Sequence, residues 1–226
     1  SEPTWGARLV TEFLVDRPVA ESDPVALVLL AHGSGAPMDS EFMVGTAQRF
    51  SRAGAIVLRF EFPYMAARRS GGSKRPPDRL PKLQDGLRAA VSAVAQLSSL
   101  SVVERQLPLL VGGKSLGGRV ASTVADELEV AGLVCLGYPF HPPGKPERLR
   151  TEHLQGLRTP TLILQGERDR FGGPKEVGTY DLSTAIQVVW VPDGDHGFVP
   201  RVRSGRTIEQ NLDLAGDAFG RFLGGL

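Results

Sequence analysis

Gly113-Lys114-Ser115-Leu116-Gly117 decides how the rest of this 226-residue chain is read. Glycines two residues either side of a serine mark a sharp strand-to-helix turn that displays the hydroxyl, a nucleophile elbow. The serine backbone is strained in such a turn, and its minus-two and plus-two neighbours lie where even a methyl group crowds adjacent backbone. The flanks agree: Leu107–Val111 reads as a short buried strand and Gly118–Glu129 as a helix with one polar face. With 27 glycines in the chain the pattern alone arises easily by chance, so the flanks carry the argument. Gly113-Lys114-Ser115 also matches the end of a phosphate-binding P-loop. That motif needs a glycine five residues before the Gly-Lys pair, where Pro108 stands, and residues 109–111 are strand-like; the nucleotide reading is rejected.

Outward from the elbow, apolar runs of strand length alternate with helical patterns. Strands are expected at Arg8–Val15, Val25–Ala31, Ala55–Phe60, Leu107–Val111, Gly132–Leu136, Thr161–Gln165 and Ile186–Val191. Helices are expected at Asp39–Ala53, Asp78–Leu97, Gly118–Glu129, Pro174–Leu182 and Thr207–Leu223. This alternation implies βαβ units: one α/β domain spanning residues 1–226, a mostly parallel sheet with helices on both faces and no internal repeat. Two segments follow neither period. Pro63–Pro81, with Gly71-Gly72, Pro76-Pro77 and the cations Arg68, Arg69, Lys74, Arg75 and Arg79, reads as a mobile surface loop. It follows a strand end, where ligands bind in such sheets, so it is either a solvated basic loop or an attractor for a substrate carboxylate or phosphate. Tyr138–Leu157 is Pro-rich and too short for a large cap, which implies an open cleft.

The bulk numbers narrow the partners. At 41% hydrophobic residues the chain can bury a substantial core, and a formal net charge of +1 gives no global pull toward nucleic acid or anionic membrane. The single cysteine, Cys135, lies in an apolar run and reads as a buried small hydrophobe. The N-terminus shows no signal-peptide pattern and the longest apolar run, Val25–Ala31, is too short for a bilayer span; a soluble cytoplasmic protein is expected. The four histidines, His32, His141, His153 and His196, are scattered without metal-ligand spacing, so neither metal nor other cofactor is expected.

A serine hydroxyl needs a histidine to take its proton and an acid to hold the imidazole's tautomer. In this kind of fold the chain order is nucleophile, acid, histidine. After Ser115, the strand Thr161–Gln165 runs into Gly166-Glu167-Arg168-Asp169, and the strand Ile186–Val191 into Pro192-Asp193-Gly194-Asp195-His196-Gly197. Asp169 is the expected acid and His196 the expected base; Glu167, Asp193 and Asp195 are the runners-up for the acid. Each has a bland alternative: Asp169 as the cap of the helix near Pro174, His196 as a surface residue in a Gly/Asp turn. The ordered placement after successive strands favours the triad. Oxyanion donors are expected at the backbone N–H of Leu116 and of Ser34, with Gly35 second, in the loop His32-Gly33-Ser34-Gly35. His32 reads as a residue that orders this loop. Gly33, Tyr138 and His141 are candidates to line the pocket, Tyr138 and His141 being equally readable as a structural Pro-rich corner.

Three stretches carry a resemblance: Gly112-Gly113-Lys114-Ser115-Leu116-Gly117-Gly118-Arg119, Gly132-Leu133-Val134-Cys135-Leu136-Gly137-Tyr138-Pro139-Phe140-His141-Pro142-Pro143-Gly144-Lys145, and Thr159-Pro160-Thr161-Leu162. They resemble the testis-expressed/chromatin-complex-subunit hydrolase family and its bacterial relatives, within the small lidless α/β-hydrolases that include dienelactone-hydrolase-like proteins. The likeness runs from about Val25 to Phe222. It implies the α/β-hydrolase fold and a serine hydrolase acting on small-molecule esters or thioesters. Some members are similar to scaffold subunits that lack the nucleophile; this chain keeps Ser115, Asp169 and His196, and the rival expectation is an inactive binding protein. A protein partner is not indicated. Lys114 departs from the arginine expected in several relatives, keeping the charge but not the two-pronged contact.

Overall fold

Among the described residues six strands rise in parallel to one edge, and that edge is where Ser115, Asp169 and His196 emerge. In the computed structural model, which describes residues 12–19 and 23–226, the strands are β1 Leu14–Asp16, β2 Ala26–Ala31, β3 Ala55–Phe60, β4 Leu109–Lys114, β5 Gly132–Leu136, β6 Thr161–Gly166 and β7 Ile186–Val191. The sheet order is β1-β3-β2-β4-β5-β6-β7. Among the described strands only β1 runs antiparallel, pairing Leu14 with Arg59 at the sheet edge. The remainder of the expected first strand, Arg8 to Thr11, lies outside the described residues. Strands β2, β3, β5 and β6 are buried along their whole length, the signature of a parallel sheet covered on both faces.

Alternation along each strand divides the core in two. Leu27 and Leu29 of β2 pack with Leu83, Leu87 and Ala90 of α3 (Leu80–Val94) and Val120 and Ala121 of α4 (Leu116–Ser122). Val28 and Leu30 pack on the other face with Phe50 of α1 (Glu41–Arg52) and Phe219 of α6 (Ile208–Leu223). The rings of Phe50 and Phe219 stack at 3.9 Å between centroids. Helix α6 begins with a capping box: Thr207 Oγ1 accepts from the Gln210 amide, and Gln210 Oε1 accepts from the Thr207 amide. No described helix is long and apolar enough to cross a membrane.

Three expectations are corrected. Pro63–Pro81 is not a loop throughout, because α2 occupies Pro63–Arg69. Proline costs nothing in a first helical turn, and burial of Tyr64 and Met65 in the core holds the helix in place; only the following Gly/Pro/Lys stretch is irregular and exposed. Helix α4 ends at Ser122 instead of Glu129. The hydroxyls of Ser122 and Thr123 donate to the carbonyls three residues earlier, and the backbone tightens into three-residue turns. Helix α5 covers Pro174–Val177 instead of reaching Leu182, with Gly178 closing it. The segment from Tyr138 to Leu157 forms no separate cap; Tyr138, Phe140, Leu154 and Leu157 are buried in the core.

Truncating Phe219 to alanine removes one half of the stacked pair that joins α6 to α1. The Phe219→Ala protein is expected to lose about 3–5 kcal/mol of stability, read as a lowered urea midpoint at unchanged slope.

Candidate active site

Strand β4 delivers Ser115, and the backbone there is driven to φ 48, ψ −108, a left-handed conformation rare for a residue with a side chain. The two elbow glycines explain how the turn fits. A Cβ on Gly113 would lie 2.4 Å from the Ala31 carbonyl oxygen, and one on Gly117 would lie 2.7 Å from the carbonyl oxygens of both Ala31 and His32. The Ser115 amide is anchored to the Leu136 carbonyl at the end of β5. Leu116 then opens α4, and among the described residues neither its amide nor that of Ser34 donates to a protein acceptor.

The structure brings Ser115, His196 and Asp169 together. His196 Nε2 lies 2.9 Å from Ser115 Oγ, and His196 Nδ1 lies 2.8 Å from Asp169 Oδ2. The carboxylate takes the Nδ1 proton as its hydrogen-bond partner, which leaves Nε2 free to accept from the serine. Asp169 is fully buried, and its carboxylate also accepts from Gln165 Nε2 at 3.1 Å and from the Phe171 amide at 2.9 Å. It makes no bond to α5, whose cap is Gly173 with Glu176. The runners-up are engaged elsewhere. Glu167 accepts from the Asp193 amide, Asp193 pairs with Arg201 and Arg168, and Asp195 accepts from the amides of Gly197 and Val199.

Three polar side chains that sequence reasoning did not place hold this arrangement. Gln165 accepts from the Tyr138 amide at 2.7 Å and donates to Asp169, so it ties the end of β5 to the acid. Asn211, fully buried on α6, donates to the carbonyls of Pro192 and Phe198, clamping the histidine loop at both ends. Lys114, immediately before Ser115, donates to the His196 carbonyl and lies 5.1 Å from the centre of the Phe42 ring and 5.8 Å from that of Phe198. Burial pushes its ammonium down to about 8 against the opposing pull of Asp169 and Asp195. A side chain on Gly137 (φ 65) would collide with Lys114 Nζ at 2.7 Å and crowd His196. The signals were present only as residue types: a glutamine at a strand end, an asparagine inside an apolar helix face and a lysine beside the serine.

The remaining candidates separate. Gly33 abuts Lys114, 3.3 Å from an added Cβ to Lys114 Cγ. Tyr138 is fully buried and donates its hydroxyl to the Arg150 carbonyl, so its ring belongs to the core and not to an open pocket wall. His141 is buried with Nδ1 on the Pro142 carbonyl and Nε2 3.5 Å from Glu176, and its amide donates to the carbonyl of Phe171, whose ring packs on His196. A second serine–histidine contact, Ser122 Oγ to His153 Nε2 at 2.8 Å, is buried on α4, where the hydroxyl already donates to the Arg119 carbonyl. His32 bridges two strand ends: Nδ1 lies 2.6 Å from the Gly33 carbonyl and Nε2 accepts from the Phe62 amide at 3.1 Å.

Residues 24–224 match the model of a family described as an alpha/beta hydrolase domain. The chain belongs to this family. Similar solved structures include an alpha-beta serine hydrolase homologue from Coxiella burnetii, with a TM-score of 0.68 at 18% identity over 96% of this chain and 99% of that one. A serine hydrolase without a lid from Xanthomonas campestris gives 0.68 at 20% identity over 98% and 96%. A dienelactone hydrolase from Anabaena variabilis gives 0.63 at 19% identity over 93% and 97%. At these identities the likeness is one of fold. These bacterial proteins share its architecture over nearly the whole chain, and this chain is an α/β-hydrolase by family.

Burial holds the His32 imidazole below its ordinary value of 6.5. A depressed histidine contributes stability that is present above pH 6.5 and is lost as pH falls through the folded-state value. His32→Gln, which keeps one donor and one acceptor, is expected to flatten the acid side of the stability–pH curve measured by urea unfolding between pH 7 and 5.

Proposed function

We propose that this α/β-hydrolase cleaves small-molecule esters or thioesters through an acyl-enzyme on Ser115. The observation that carries the reading is the continuous hydrogen-bonded line from Ser115 Oγ through His196 to the buried Asp169. In the proposed reaction Ser115 Oγ attacks the carbonyl carbon while His196 Nε2 takes the hydroxyl proton. Asp169 holds the imidazole's orientation and balances the charge it acquires. The tetrahedral oxyanion is held by the amides of Leu116 and Ser34, with Gly35 as the alternate donor, at the positive end of α4. Collapse breaks the bond to the alcohol or thiol, which leaves with the proton from Nε2. Water then gives a proton to the same nitrogen and attacks the acyl carbon; the bond from that carbon to Ser115 Oγ breaks, Oγ takes the proton back from Nε2, and the acid leaves.

The test is hydrolysis of short-chain 4-nitrophenyl esters together with labelling by a fluorophosphonate. Ser115→Ala is expected to abolish both, and Asp169→Asn to lower kcat by about 10³–10⁴-fold. Labelling that survives Ser115→Ala refutes the assignment. A wild type that neither turns over esters nor takes the label supports the rival, a binding protein on this fold.

Lys114 acts in this scheme as a positioning residue, through the His196 carbonyl. Lys114→Met is expected to reduce kcat by about 10–100-fold with KM little changed, and Lys114→Arg to restore part of it. Because the wild-type ammonium loses its proton as pH rises through about 8, an alkaline fall in kcat is expected there and is absent from the methionine variant.

A further inference from the structure

We propose that the groove between the β2–α1 loop and helix α2 receives an anionic group, a carboxylate or phosphate, carried by the substrate; the proposal rests on the hydrolase reading above. The groove is open, has a volume of about 350 Å³ and is lined by Gly35 and Pro37 of the loop, by Met65, Arg68 and Arg69 of α2, and by Gly72 and Lys74 beyond it. Its position follows from the register. Ala31 of β2 pairs with Gly113 of β4, so the loop that follows β2 leaves the sheet beside the turn at Ser115. Tyr64 on α2 donates its hydroxyl to the Ser34 carbonyl at 3.2 Å, which fixes the helix to that loop.

The charges in the groove are unequal in their partners. Arg69 is neutralised by Glu61 and Asp39. Among the described residues neither Arg68 nor Lys74 has a carboxylate within ion-pair distance. The Arg68 guanidinium donates to the Arg75 carbonyl, touches Met65 Sδ at 3.8 Å and lies 5.3 Å above the Tyr64 ring. Its Nε is buried without an acceptor. A half-buried guanidinium whose partners are a carbonyl, a sulfur and a π-face keeps its full positive charge, and the apolar floor of Met65 and Pro37 strengthens its attraction for an anion. The adjacent Lys74 is exposed and adds a second charge of the same sign. Two unneutralised cations over an apolar floor, beside the nucleophile's loop, match a substrate with a short apolar chain ending in an anion.

The experiment compares kcat/KM for the mono-4-nitrophenyl esters of succinate, glutarate and adipate with the neutral butyrate, valerate and hexanoate esters. A leaving-group arm compares 4-acetoxybenzoate with phenyl acetate. At least one anionic ester is expected to exceed its neutral counterpart, and Lys74→Glu and Arg68→Met are each expected to lower that ratio by about tenfold. Lys74 is exposed, so its variant folds. Ratios that do not respond to either substitution overturn the proposal. Calorimetric titration of glutarate, and separately of inorganic phosphate, into Ser115→Ala judges the groove without turnover and tells carboxylate from phosphate. Binding weakened by Lys74→Glu supports the site even where hydrolysis fails, and absence of binding by either anion overturns it.

Discussion

The structure turns on one backbone constraint, the left-handed conformation of Ser115 at the junction of β4 and α4. A chain that leaves a central strand and enters a helix within one residue must pack its own turn against the neighbouring strand. Here that neighbour is β2, whose last carbonyl lies where the side chains of residues 113 and 117 would otherwise project. The parallel register of β2, β4 and β5 therefore determines where the hydroxyl stands, and the helix start that follows places unpaired amides beside it. Strain at Ser115 is maintained by the pairing of the strands around it, which local relaxation cannot undo.

The acid and the histidine are held by different means. Both leave the sheet on loops, and loops lack the ladder bonds that fix strand residues. Buried side-chain amides supply the missing bonds: Gln165 to Tyr138 and Asp169, Asn211 to Pro192 and Phe198. Each amide satisfies backbone groups that burial would otherwise leave unpaired, so each is a stabilising contact and an aiming device at once. Lys114 adds an electrostatic link between the nucleophile's own strand and the histidine's loop, at the cost of a buried ammonium whose proton is loosened.

The elements readable from the sequence were those with local causes. Continuous apolar runs marked β2, β3, β5, β6 and β7, and the helical period with its Thr207 start marked α6. The elbow glycines, Asp169 and His196 were readable because their order after successive strands is set by topology. Legibility failed where long-range contact decides, and where a side-chain hydroxyl competes with the helix for its own backbone. Pro63, Gly71 and Gly72 read as loop punctuation, yet burial of Tyr64 and Met65 made a helix. The ends of α4 and α5 depended on which hydroxyls turned back onto their own backbone. Tyr138 read equally as a pocket residue or as part of a structural corner, and the core around Phe140 decides for the second. Lys114's partner is 82 residues away, a pairing that no local spacing contains.

The strand order also sorts charge across the site. Asp169 follows β6, two strands to one side of β4, while Arg68, which has no carboxylate partner, follows β3, two strands to the other. A net charge of +1 conceals this separation, because cations and carboxylates of the whole chain nearly balance in number. In the proposed reaction, positive charge develops on His196, beside Asp169, and negative charge on the oxyanion, on the β2 side. Each developing charge thus lies toward the fixed charge of opposite sign, and the topology that sets the elbow also sets that direction. Reversing it would require moving a strand, not a side chain.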